Sequence, residues 1–133
     1  MSILSIAASG LSAASRRLEV SASNIANASD TGPLPDAPNA ASFPPVYAAQ
    51  RVDQVDVAGG GTVANTSTVS PSYVTQYDPT APFADKNGLV AAPNVDLANE
   101  VVQQITARTD FAANAKVIQV YSEMMKTLLD IKV

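Results

Sequence analysis

The last forty residues, Asn94 to Val133, contain neither proline nor glycine, and this constrains the fold more than any other stretch. Pro93 suits the turn before a helix, Asn94 is a good N-cap, and Asp96 sets negative charge against the free N–H groups of the first turn. From Leu97 the apolar residues recur at helical spacing through Val101, Ile105, Phe111, Ala115, Ile118, Tyr121, Met125 and Leu128. A second stripe, Val117, Val120, Met124 and Ile131, lies beside the first. The C-terminal half is thereby apolar over most of its circumference, more than one partner helix can cover. A helix of about 35 residues spans about 50 Å. That is too long to pack inside a compact domain of 133 residues. It reads as a helix that needs partners.

The chain opens on a second helix. Leu4, Leu11, Leu18 and Ile25 stand seven residues apart, with Ala7, Ala14 and Ser21 or Ala22 between them. This is a heptad seam of large residues at one position and small ones at the other, suited to close packing against another helix. So short a seam is marginal alone in water. Gly10 interrupts it at a cost of about 1 kcal/mol relative to alanine, and reads either as a tolerated defect or as a point of close backbone approach. Asn27 can take the left-handed conformation at the helix end, and Gly32-Pro33 rules out continuation. Asn24 and Asn27 read either as a polar face with a C-cap or as amides that hydrogen-bond to another chain at a packed helix end.

All nine prolines lie between Pro33 and Pro93. The chain is therefore expected to be mainly α, in three parts. Residues 1–31 form an N-terminal helix, 32–93 a loop and β-hairpin region, and 94–133 a C-terminal helix. Within the middle, 32–45 reads as a loop or extended arm. Residues 46–57 and 62–70, rich in valine and flanking Gly59-Gly60-Gly61, read as a β-hairpin that must dock on something. Residues 71–93 read as loop, with a turn at Asp85-Lys86-Asn87-Gly88.

Composition narrows function. The chain has no histidine, which removes the commonest general base and metal ligand, and no cysteine, which removes thiol chemistry and disulfides. Asp53, Asp56, Asp78 and Asp85 stand without a base, a metal-ligand set or a phosphate loop nearby. The glycine run lacks the lysine and threonine of a phosphate-binding loop, and Ser9-Gly10 lies mid-helix. No enzyme activity, cofactor, metal or small-molecule substrate is expected. A net charge of −4 with interspersed signs does not suit nucleic acid. No apolar run approaches the ~20 residues of a membrane span, and Arg16-Arg17 follow the first apolar residues instead of preceding them as in a secretory signal.

Ser9-Gly10-Leu11, Ala14, Arg17 and Ser23-Asn24-Ile25-Ala26-Asn27 resemble the N-terminal signature of flagellar axial proteins of the rod and hook. Tyr77-Asp78-Pro79, Pro82-Phe83-Ala84-Asp85, Gly88-Leu89-Val90, Pro93-Asn94-Val95-Asp96, Glu100, Arg108 and Ala113-Asn114 resemble the proximal rod members of the flagellar basal-body rod protein family, whose short middle also suits this length. Leu89 and Phe111 depart from the family's usual tyrosines, its threonine is displaced to Thr31, and the proline-rich 33–45 segment is particular to this chain.

The resemblance implies N- and C-terminal helices paired as an antiparallel coiled coil, with the middle projecting outward. It implies helical polymerisation into a drive shaft that carries torque towards the hook around the export channel. The implied partners are copies of the chain, other proximal and distal rod proteins, the MS-ring and its rod adaptor, and the flagellar type III export apparatus. The implied location is the basal body in the periplasmic space, reached without a cleaved signal. On this view Leu4, Leu11, Leu18 and Ile25 pair with Ile105, Ile118 and Met125. Val117, Val120, Met124 and Ile131 contact neighbouring subunits, and Asn24 and Asn27, placed with them at the inter-subunit contact, tie the end of the first helix to the adjoining loop or to a neighbour. A soluble helical adaptor or chaperone-like protein, binding partners reversibly through its exposed helix face, is the alternative. A membrane-surface helix is a weaker third reading, since the first helix has only two adjacent basic residues.

Overall fold

The computed structural model describes residues 2–38 and 40–131, so the last two positions of the expected C-terminal helix lie outside the described residues. Helix α1 (Ile3–Ala26) starts where the Ser2 hydroxyl accepts the Ser5 N–H. It ends at Asn27, which is not left-handed: its φ is −103°, and its side-chain amide donates to the Ser23 carbonyl at 2.8 Å. A single 3₁₀ turn (Ala40–Ser42) interrupts the proline-rich arm. Strands β1 (Gln50–Asp56) and β2 (Thr62–Thr68) pair antiparallel across the glycine run. Strands β3 (Tyr73–Tyr77) and β4 (Leu89–Pro93) form a second antiparallel pair. Helix α2 (Leu97–Asp130) follows. Its N-cap is Asp96, whose carboxylate accepts from the N–H groups of Ala98 and Asn99. Asn94 instead donates its side-chain amide to the Pro71 carbonyl at 2.9 Å, tying the helix entrance to the segment before β3.

The expectation of a mainly α chain, with an antiparallel coiled coil and one hairpin in a proline-rich middle, is therefore corrected. The fold is mixed α/β, two helices with two small antiparallel sheets. The second sheet lies where the sequence reads as loop, because residues 78–88 separate its strands by more than a tight hairpin turn and β4 ends in Ala-Ala-Pro. Pairing comes from further away: Gly32 bridges β4 through reciprocal N–H···O bonds of 2.9 Å with Ala91. A Cβ on Gly32 would lie 2.7 Å from the Val46 nitrogen, so only glycine admits this crossing. Val90, Ala91 and Ala92 are buried, and Phe43 packs edge-on against Phe83 at 5.7 Å.

The helices run antiparallel in contact, but not on a regular apolar seam. Ala7, Ala14 and Ser21 are the heptad residues of α1 that are buried. The Ser21 hydroxyl donates to the Glu100 carbonyl at 2.9 Å near one end of the pair. Towards the other end, a Cβ on Gly10 would lie 2.5 Å from Asn114 Oδ1, so the close approach at Gly10 is by a side chain. Ala107, between those two points, is the buried residue of α2. The first hairpin docks on α1, where the Thr62 N–H donates to the Ser9 hydroxyl at 3.2 Å. The core is thin: its largest fully buried side chains are Val90, Asn24 and Ser21.

Candidate assembly surface

Asn24 is the polar centre of the structure. Its side-chain amide donates to the Gln50 carbonyl at 2.7 Å and to Glu100 Oε1 at 2.6 Å. Its oxygen accepts from the Gln50 N–H and the Tyr47 hydroxyl, both at 3.0 Å. That uses two donors and two acceptors, the full capacity of an asparagine amide. The residue joins α1, the approach to β1 and α2, and it is 1% exposed. Expected at an inter-subunit contact, Asn24 spends its amide within the chain; Asn27, expected with it, bonds its amide to Ser23. Beside this clamp Arg17 donates to Asp110 at 2.8 Å and to Gln54 at 2.6 Å, linking α1 to α2 and to β1. Tyr47, Gln50 and Gln54 carry no local pattern that marks them for these roles.

The expected pairing residues sit at the margins of the helix pair. Leu11, Ile25 and Ile118 are half-buried. Leu4, Leu18 and Met125 are 39%, 43% and 41% exposed, and Ile105 is 62% exposed. Val117, Val120, Met124 and Ile131, expected to contact neighbours, are all exposed. So are Leu97, Val101, Val102, Phe111, Leu128 and Leu129 on the same helix. Monomeric soluble proteins rarely leave large contiguous apolar patches open, which makes this helix the candidate interaction surface. Two grooves deepen it. One, of about 570 Å³, lies between α1 and α2 with Leu18, Ile105 and Phe111 among its walls. The other, of about 500 Å³, brings Ile3 beside Val117, Val120 and Met124.

Three carboxylates of the middle region, Asp53, Asp78 and Asp85, have structural partners. Asp53 pairs with Arg51 at 3.2 Å and accepts from the Ser67 hydroxyl. Asp85 caps the 85–88 turn, accepting from the N–H groups of Leu89 and Asn87, each at 2.8 Å. Those bonds, Leu89 foremost, hold its carboxyl below the ordinary value of 3.8 against some desolvation. Asp78 lies lower for the same reason, chiefly through the Thr80 hydroxyl. Such bonds stabilise the charged form. Half-buried carboxylates bonded in this way build turns.

Both helical ends match flagellar rod families. The family model described as "Flagella basal body rod protein" matches residues 4–33, and the one described as "Flagellar basal body rod FlgEFG protein C-terminal" matches residues 86–131. The flagellar basal-body rod protein FlgC of Salmonella typhimurium is 42% identical over 96% of this chain and 95% of its own length. The chain belongs to the FlgC family. The FlgC of Escherichia coli O157:H7 is 40% identical over the same shares, and that of Agrobacterium fabrum 33% identical over 95% of this chain and 90% of its own. FlgC relatives thus span the sheets as well as the helices.

Proposed function

We propose that the chain is a structural subunit of the proximal rod of the bacterial flagellar basal body. It polymerises helically into the part of the drive shaft that carries torque from the motor towards the hook, around the export channel. The near end-to-end similarity to flagellar basal-body rod proteins FlgC carries this reading. The physics agrees with it: a long helix with an uncovered apolar face suits a subunit completed by its neighbours. In this reading the neighbours are copies of the chain and other rod proteins, and at the base the MS-ring and its rod adaptor. The chain leaves the cell unfolded through the flagellar type III export apparatus and folds in the periplasmic space. A core whose largest fully buried side chains are one valine, one asparagine and one serine is suited to being unfolded for passage.

Deletion of the gene tests the proposal. Cells are expected to lose swimming and to recover it with the wild-type chain, and the chain is expected in purified basal bodies. A deletion strain that swims normally, or basal bodies free of the chain, sinks the reading.

A further inference from the structure

We infer that β3 pairs antiparallel with β3 of a second copy, joining the two β3–β4 sheets into one sheet about a two-fold axis at Thr75. The inference stands on the second sheet alone and does not rest on the rod-subunit reading.

The phase of the ladder fixes which backbone groups are open. At the two ends of the β3–β4 pairing, Asp78 donates its N–H to the Gly88 carbonyl at 2.9 Å and Asn94 donates to the Ser72 carbonyl at 3.4 Å. Bonded and non-bonded positions alternate in an antiparallel pair, so Val74 and Gln76 bond to β4. Tyr73, Thr75 and Tyr77 turn their N–H and C=O groups away from it. The far side of the sheet has the same phase: Ala91, opposite Thr75, points away from β3 and bonds to Gly32.

That outer edge is uncovered. Among the described residues β3 packs on no strand or helix but β4, and no loop or side chain bonds to its outward groups. Val74 to Tyr77 are all exposed. Sheet edges are ordinarily guarded by charge, proline, a bulge or a cover. The first sheet lies on α1, with Asn24 bonded to the β1 edge at Gln50, and the β4 edge meets Gly32. The β3 sequence, Tyr-Val-Thr-Gln-Tyr, carries neither charge nor proline.

The sequence of the strand names its partner. Its outward positions read alike in both directions about Thr75, with a tyrosine on either side. An antiparallel second copy therefore sets Tyr73 against Tyr77 and Thr75 against Thr75, each outward N–H meeting an outward C=O. Aromatic pairs and threonine pairs directly opposite one another stabilise a sheet. Val74 falls opposite Gln76 and Asp78 opposite Ser72, so no like charges meet. Pro71 and Pro79 bound the strand and limit the pairing to its five residues. So small a contact lies below the ~1,000 Å² of a stable interface, and the dimer is a weak, concentration-dependent one. It uses no residue of either helix and closes on itself, so it holds free chains in pairs without propagating.

Sedimentation equilibrium of the purified chain tests the pairing. A monomer–dimer equilibrium is expected. Thr75→Lys and Thr75→Glu, each setting two like charges at the axis, are expected to stay monomeric alone and to dimerise when mixed. The chain has no cysteine, so disulfides read the register without either charged variant. Val74→Cys and Gln76→Cys chains, mixed and oxidised, are expected to form a dimer holding one of each, since these facing positions lie about 4.5 Å apart. Each oxidised alone is expected to give none, because identical positions lie about 7–8 Å apart, at or beyond disulfide reach. A wild-type chain that stays monomeric at every concentration overturns the proposal. So does a Thr75→Lys chain that is folded by circular dichroism and associates like wild type. Disulfides that form as readily between identical positions mean another register and overturn it too. Growth past the dimer that Thr75→Lys abolishes does the same, because the edge then stacks instead of closing.

Discussion

Asn24 shows at the scale of one residue how a small fold uses a polar group to define its tertiary contacts. Its four hydrogen bonds hold α1, the approach to β1 and α2 at one point. Asn24→Leu is expected to leave the Gln50 N–H without its partner and the Tyr47 hydroxyl with Ser23 alone, lowering stability by about 1–3 kcal/mol. Urea unfolding of the purified monomer measures this, and a variant as stable as wild type would show the clamp to be dispensable. Asp85 and Asp78 give a pH dependence of known sign. Their folded-state carboxyls lie below the ordinary value of 3.8. Their contribution is therefore fully present above that value and lost as pH falls through the lowered folded values. Carboxyl titration by NMR is expected to place both midpoints below 3.8, and ordinary midpoints would mean that the turn bonds are absent in solution.

At the scale of elements, legibility follows the range of the interactions. The Gly59-Gly60-Gly61 run and the valines beside it predict the β1–β2 hairpin, because turn and arms are neighbours in sequence. β3 and β4 were hidden because the Gly32 bridge and the 78–88 loop join them from a distance. The entry to α2 is instructive in another way. Asn94 and Asp96 are both acceptable caps, and the Asn94 bond to Pro71 leaves Asp96 to cap the helix. Asp96→Ala is expected to cost about 0.5–2 kcal/mol and to raise hydrogen exchange in the first turn of α2. Asn94→Ala is expected to loosen the approach to β3 without opening that turn. The reverse pattern would assign the cap to Asn94.

For the whole molecule, folding and assembly use different surfaces. The clamp and the small-residue contact between the helices are internal, whereas Met124, Leu128 and Leu129 near the end of α2 are exposed. Leu128→Asp is accordingly expected to change monomer stability by no more than about 0.5 kcal/mol, while incorporation into basal bodies is lost. Equal losses of stability and incorporation would show that the end of α2 is needed for folding. Hydrogen exchange makes the same distinction. Ser122–Ile131 is expected to exchange freely in the monomer and to be protected in basal bodies, with the amides around Asn24 protected in both.

The sequence alone determined the two helices, the proline-bounded middle, the first hairpin and the resemblance to rod proteins. Periodicity, breakers and motifs act over a few residues and are readable there. It could not determine which of two adjacent heptad stripes faces inward. Leucine at one position and alanine or serine at the other are both compatible with a paired helix. The tertiary structure decided it through distant partners. Ser21 bonds to Glu100, Gly10 admits Asn114, and Asn24 gathers three segments, which turns the small stripe towards α2 and leaves Leu4 and Leu18 at its margin.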